Sequence, residues 1–167
     1  MCIRDRYQEQ VRILADAGID LIAAETMINI EETLAAVDAA SSVCDLPIMC
    51  TMTVEADGSI FSGGNAIEAS VSLEAAGADA VGINCSVGPD QLVSVVRSIK
   101  ENVSIPVIAK PNAGMPTIDD KGQAVYSMNA EDFASYMKVL IESGASVVGG
   151  CCGTTPAFIK ALHDSIR

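Results

Sequence analysis

The chain has 167 residues, half of them apolar and 4% aromatic, with no Trp and a formal net charge of -12. That length can bury a real core in one domain, yet it is short for a complete eight-stranded α/β barrel, which takes roughly 250 residues. The acid excess excludes a phosphate-tracking nucleic-acid binder, and no apolar run approaches the ~20 residues of a membrane span.

Residues 1–6 (Met1-Cys2-Ile3-Arg4-Asp5-Arg6) neither extend a periodic element nor cap one, and are expected to be a non-native leader to a domain running from 7 to 167. No apolar signal segment follows them. A first helix is expected over 7–17, with Val11, Leu14 and Ala15 on one face, then a strand over 20–25. Asn29-Ile30-Glu31-Glu32 opens the next helix as a cap with Glu at the third helical position. A strand over 46–52 enters through Pro47, as tolerated at a strand's first residues. A helix over 65–76, a strand over 79–84, a helix over 90–101 and a strand over 105–110 follow. The chain closes with a helix over 130–142, a strand over 146–150 and a helix opened by Thr155-Pro156. Two longer loops, 54–64 and 114–128, hold Asp-Gly or Lys-Gly turn signals and are expected to form small hairpins.

One pattern recurs three times. Gly18, Gly77 and Gly144 each end a helical stretch, in the manner of a left-handed cap, and each leads into a short apolar run. Such runs read as buried parallel strands. The same spacing separates Gly18 from Gly77 and Pro47 from Pro106, two β-α units of ~30 residues each. The alternation predicts an α/β fold with five parallel strands. Chemistry in such folds collects at the C-terminal strand ends, which selects Glu25, Thr26, Thr51, Asn84, Cys85, Asn112, Cys151 and Cys152.

The six cysteines are irregularly spaced and two are adjacent, which fits a disulfide framework poorly and a reducing, cytoplasmic setting better. Cys44 and Cys50 read as small packed hydrophobes. Cys85, Cys151 and Cys152 end two strands, and Gly149, Gly150 and Gly153 supply the permissive backbone that convergence of adjacent thiols needs. A metal site is the favoured reading; a vicinal disulfide or redox pair, and simple packing, remain open. Three thiolates on Zn²⁺ leave one tetrahedral position open, as in catalytic sites, and a soft sulfur set favours a thiol substrate there. His163, in the last helix, is a poor fourth ligand. Glu25 reads equally as a salt-bridge partner or as a carboxylate for a substrate ammonium group. Asn112 reads first as a turn residue.

Gly82-Ile83-Asn84-Cys85 and Gly149-Gly150-Cys151-Cys152-Gly153-Thr154-Thr155-Pro156 resemble the two zinc motifs of the homocysteine S-methyltransferase family. Asp20-Leu21-Ile22-Ala23-Ala24-Glu25-Thr26 is similar to its strand ending in Glu-Thr, and Lys110-Pro111-Asn112-Ala113-Gly114 to its Pro-Asn-x-Gly segment. The resemblance implies Zn²⁺ on Cys85, Cys151 and Cys152, with no catalytic residue beyond that site. It implies Glu25 at the homocysteine amino group, with Asn84, Gly149 and Gly150 shaping the pocket. Homocysteine would bind as the fourth ligand, attack an activated methyl group as a thiolate, and leave as methionine.

Residues 110–116 look more like the cobalamin-dependent methionine synthases, so methylcobalamin on another domain, charged from methyltetrahydrofolate, is the expected donor. An S-methylmethionine- or betaine-dependent enzyme, or one fused to a methylenetetrahydrofolate reductase, is the alternative. A non-catalytic fragment with a structural zinc is the second. Family members form a complete (β/α)₈ TIM barrel, and the five strands match the last five β-α units. The chain is therefore expected to be an incomplete barrel, with an unfinished homocysteine pocket, low stability and no activity alone.

Overall fold

The computed structural model describes residues 2–167. Helix α1 (Ile3–Asp16) leads into β1 (Ile22–Met27), α2 (Ile30–Ser41), β2 (Ile48–Met52) and α3 (Ala66–Ala75). Then come β3 (Ala80–Cys85), α4 (Val93–Asn102), β4 (Val107–Pro111), a hairpin of β5 (Pro116–Ile118) and β6 (Ala124–Tyr126), α5 (Ala130–Glu142), β7 (Ala145–Val148) and α6 (Pro156–Ser165). Five strands form one parallel sheet in the order β1-β2-β3-β4-β7, and β5-β6 is a separate antiparallel ribbon. The expected α/β alternation is present, and the sheet follows chain order as short right-handed crossovers dictate.

Capping chemistry sets several helix starts. The Asn29 side chain accepts from the Glu32 amide at 2.9 Å, and Asn65 accepts from the Ile67 and Glu68 amides at 3.0 Å. Helix α1 begins at Ile3, four residues before the sequence places it. Cys2 stands at its cap, with its amide donating to the Asp5 carboxylate at 2.9 Å. Residues 3–6, which read as aperiodic, are thus helical, because one polar cap outweighs the lack of an apolar stripe, while Met1 lies outside the described residues. Strand β1 runs to Met27, two residues beyond expectation. A short 3₁₀ turn (Pro89–Gln91) takes up the start of the helix expected at residue 90. The 114–128 loop forms its hairpin, whereas the 54–64 loop forms only isolated bridges, Val54 with Ile60 and Ser59 with Asn65.

The core lies between one sheet face and the helices. Ile48, Cys50 and Met52 of β2, Val81 and Ile83 of β3, and Val107 and Ala109 of β4 all point there, in the period of two that strands impose. Phe133 of α5 is fully buried and meets Phe158 of α6 edge-on, with ring centroids 5.4 Å apart. At Gly82 an added Cβ would fall 2.0 Å from the Ile108 carbonyl oxygen, so the β3–β4 approach requires glycine.

The opposite, concave face carries polar groups toward the strand ends. Glu25 of β1 contacts Lys110 of β4, although β2 and β3 lie between their strands. Strands three apart in a flat sheet are separated by about 14 Å, beyond the combined reach of the two side chains. The sheet therefore curls toward this face. Among the described residues no helix is long and apolar enough to cross a membrane.

Candidate metal and substrate site

Cys85 closes β3 with φ +62°, and Ser86 follows with φ +69°. Two successive left-handed residues without glycine cost about 1–2 kcal/mol each, and here the surroundings hold them. The Val54 amide donates to Ser86 Oγ at 2.8 Å, and Asn112 Nδ2 donates to the Ser86 carbonyl at 2.8 Å. Strand β7 ends at Val148, so Cys151 and Cys152 lie in a turn and escape the strand alternation that would send them to opposite faces.

That turn is tied to the end of β4. The Cys151 amide donates to the Pro111 carbonyl at 2.8 Å, the Ala113 amide to the Cys152 carbonyl at 2.9 Å, and the Cys152 amide to Asn112 Oδ1 at 3.0 Å. Asn112, which the sequence presents first as a turn residue, is 4% exposed and fastens both thiol-bearing loops at once. Beyond the pair, Gly153 adopts φ +79°, and a Cβ there would lie 2.3 Å from the Tyr126 ring, which the hairpin lays against it.

These constraints gather three thiols. Cys85 Sγ lies 3.7 Å from Cys152 Sγ, and Cys151 Sγ lies 4.0 Å from Cys152 Sγ. All three sulfurs fall within 4.8 Å of one another. A tetrahedron with Zn–S bonds of about 2.3 Å has S···S edges of about 3.8 Å, so spacing and donor chemistry both fit a Zn²⁺ ion. No cysteine is in a disulfide among the described residues. Burial pushes the Cys85 thiol up to about 11, with the neighbouring thiols adding to the rise against a lowering contact from the Ser86 amide. Without a metal the Cys85 thiol therefore keeps its proton at neutral pH.

Asn84 is 1% exposed and organises the adjoining wall. Its Oδ1 accepts from the Thr26 amide at 2.9 Å and the Thr51 hydroxyl at 2.7 Å. Its Nδ2 donates to the Thr26 hydroxyl at 2.7 Å and approaches Cys151 Sγ at 3.8 Å. Thr26 is itself left-handed, with φ +61°. Among the described residues, the three non-glycine positions with positive φ thus all border this one site. Glu25 sits next along β1, paired with Lys110, which stands in register with Asn84. Gly149 and Gly150 form the approach to Cys151, and Gly149 lies beside the Lys110 stem.

Of the residues the sequence selects, Glu25, Thr26, Thr51, Asn84, Cys85, Asn112, Cys151 and Cys152 are brought to one rim. Cys50 is buried in the core, and Cys44 Sγ lies 3.8 Å from the Ala40 carbonyl, so neither joins the cluster. Lys110, Ser86 and Tyr126 were not singled out. Lys110 carried a usable signal, an ionisable residue inside an otherwise apolar strand.

Comparison with known proteins decides the family. A family model described as homocysteine S-methyltransferase matches residues 2–166. The chain belongs to the homocysteine S-methyltransferase family. A methionine synthase of Mycobacterium tuberculosis is 35% identical over 170 residues, covering 98% of this chain and 14% of that protein. Homocysteine S-methyltransferase 3 of Zea mays is 34% identical over 170 residues, covering 99% of this chain and 50% of its own. The chain thus spans half the length or less of these two relatives. A crystal structure of the homocysteine methyltransferase MmuM from Escherichia coli, in a metallated form, superposes with a TM-score of 0.78 at 25% identity, over 98% of this chain and 52% of that one.

Proposed function

We propose that Cys85, Cys151 and Cys152 hold Zn²⁺ and that the protein methylates the thiol of homocysteine to give methionine. The observation that carries this reading is the trio of sulfurs from two strand ends at zinc-ligand spacing. When bound, the metal supplies the positive charge that lets a substrate thiol shed its proton at neutral pH.

The chain's own residues bind and orient. Glu25 offers a carboxylate for the α-ammonium group. Asn84, locked by Thr26 and Thr51, forms a rigid wall beside Cys151. The Gly149-Gly150 backbone leaves room over the thiols. The transfer forms a sulfur–methyl bond and breaks the bond from methyl to donor, whose leaving group takes the electron pair. The substrate thiol proton passes to solvent, so no residue is required as general base.

The favoured donor is methylcobalamin charged from methyltetrahydrofolate and carried outside these residues, in keeping with the mycobacterial methionine synthase likeness. The five strands are read as the last five of an eight-stranded barrel, within a domain of residues 7–167. In support, β1 and β7 each pair on one side only, and an apolar cleft lined by Tyr7, Leu14, Leu21 and Ala23 opens at the β1 edge. Because five strands leave the pocket unfinished, the test uses zinc-loaded protein carrying all eight β-α units, supplies homocysteine with methylcobalamin or S-methylmethionine, and measures methionine. Product from methylcobalamin supports the full reading, and product from S-methylmethionine alone reassigns the donor. No product from either contradicts it.

A further inference from the structure

Tyr126 is the inward-facing residue of a hairpin that otherwise meets solvent. Pro116–Ile118 of β5 is exposed throughout, as are Ala124 and Val125 of β6, whereas Tyr126 at the end of β6 is half-buried. Its ring lies over the turn that follows the paired thiols, 2.3 Å from where a Cβ on Gly153 would stand. The backbone ties hairpin and turn together: the Met128 amide donates to the Ala113 carbonyl at 3.2 Å, and the Ala113 amide to the Cys152 carbonyl at 2.9 Å. Desolvation pushes the Tyr126 hydroxyl above its ordinary pKa. Cys152, by charge and as a hydrogen-bond partner, pushes it the same way, and Cys85 and Cys151 add to the rise. The hydroxyl therefore keeps its proton at neutral pH and stands as a donor beside sulfur.

The other two sulfurs have donors of their own. Asn84 Nδ2 lies 3.8 Å from Cys151 Sγ, and the Ser86 amide bonds to Cys85. Cys152 is the exposed member of the trio, while Cys85 and Cys151 are half-buried. It is thus the protein sulfur that an electrophile entering the site meets first.

We propose that Tyr126 is a positioning residue that shields Cys152 from alkylation, its hydroxyl donating to the metal-bound Cys152 thiolate so that the substrate sulfur, and not this ligand, takes up the methyl group. This rests on the zinc and homocysteine reading above and adds the choice among sulfurs which that reading requires. Methyl transfer to Cys152 would form a sulfur–carbon bond, release the donor's leaving group with the electron pair, and turn a ligand thiolate into a neutral thioether. Sulfurs on the same metal differ little in intrinsic nucleophilicity, so their surroundings must set the choice. A hydrogen bond to a charged sulfur stabilises it by about 10–100-fold. Nucleophilicity follows such stabilisation with a slope of about one half, so one hydroxyl slows alkylation about 3–10-fold. A substrate sulfur in the open position has no share in the three donors already aimed at the cysteines.

The test treats zinc-loaded protein carrying all eight β-α units with iodoacetamide at neutral pH, without substrate. Peptide mass spectrometry follows the initial alkylation rate of each cysteine; the thiolate gains the carbon and iodide leaves with the electron pair. Tyr126→Phe keeps the ring over Gly153 and removes only the hydroxyl. Cys152 alkylation should quicken about 3–10-fold in Tyr126→Phe, with zinc content and the Cys85 and Cys151 rates unchanged. Tyr126→Ala, which removes the ring as well, should raise the Cys152 rate at least as far. An unchanged Cys152 rate in Tyr126→Phe overturns the proposal. So does a rise shared equally by all three cysteines, or a loss of zinc, since either marks a purely structural role. Wild-type protein that holds no zinc removes the reading beneath the proposal; full zinc with an unmoved Cys152 rate overturns the proposal alone.

Discussion

Asn84 grips Thr26 at two points: its Oδ1 accepts the Thr26 amide at 2.9 Å and its Nδ2 donates to the Thr26 hydroxyl at 2.7 Å. The double contact joins the end of β3 to the end of β1 across β2 and holds Thr26 in its left-handed conformation. Asn84→Ala leaves the Thr26 amide and the Thr51 hydroxyl without that acceptor, so it should cost about 1–3 kcal/mol. A fall in urea midpoint at unchanged slope is the readout. Asn84→Asp keeps the acceptor but sets a negative charge against Cys151, and zinc affinity should fall about 10–100-fold, as for other groups that support metal ligands. An unchanged zinc affinity in Asn84→Asp would remove Asn84 from the site's electrostatics.

The cysteines should divide sharply under mutation. Cys85→Ser, Cys151→Ser and Cys152→Ser each remove one of three ligands and should leave well under one equivalent of zinc after dialysis. Cys44→Ser should retain the full equivalent, because its sulfur lies outside the cluster. Elemental analysis of the dialysed proteins distinguishes the sets. Full zinc in both Cys85→Ser and Cys152→Ser would rule out the three-thiolate site.

Much of this site could be read in the chain, for a physical reason. Parallel strands buried between helices leave unmistakable short apolar runs after Gly18, Gly77 and Gly144, and counting seven and eight positions onward reaches Glu25, Thr26, Asn84, Cys85, Cys151 and Cys152. Local turn chemistry likewise marked Asn29 and the 114–128 hairpin. What escaped depends on distant juxtaposition. Asn112 links Ser86 to Cys152 from a third loop, and no spacing rule encodes those partners. The Glu25–Lys110 pair arises from curvature of the sheet, which a list of strands does not contain. The true start of helix α1 is not legible either, because Asp5 satisfies the Cys2 amide in a stretch with no apolar period.

Alkaline pH should weaken the fold through a buried thiol. Cys50 is fully buried, and that burial pushes its pKa from 9.0 to about 12. A group whose folded pKa is raised adds stability below its unfolded pKa and loses it as pH climbs to the folded value. The Cys50 contribution is thus complete below pH 9 and lost between about 9 and 12. Tyr7, raised to about 12 by burial and by its hydrogen bond to Glu32, acts in the same direction from pH 10 upward. Denaturation midpoints of wild type and Cys50→Ala across this range should converge as pH rises. Parallel curves would show that Cys50 does not titrate with unfolding.

Gly153→Ala should damage the thiol turn from two directions. The new methyl group would meet the Tyr126 ring at 2.3 Å, and the residue would remain at φ +79°. Left-handed strain alone costs about 1–2 kcal/mol, and overpacking adds about 1–3 kcal/mol. Adding Tyr126→Ala should recover the packing part and leave the backbone part, a coupling that a double-mutant cycle in urea resolves. Strictly additive losses would show that Tyr126 does not press on this turn.

The central claim is that three cysteine sulfurs hold zinc and that homocysteine supplies a fourth. X-ray absorption at the zinc edge counts those sulfurs directly. Zinc-loaded protein carrying all eight β-α units should show three sulfurs and one lighter ligand, changing to four sulfurs when homocysteine is added. A zinc shell that starts with fewer than three sulfurs, or stays at three in saturating homocysteine, would contradict the account.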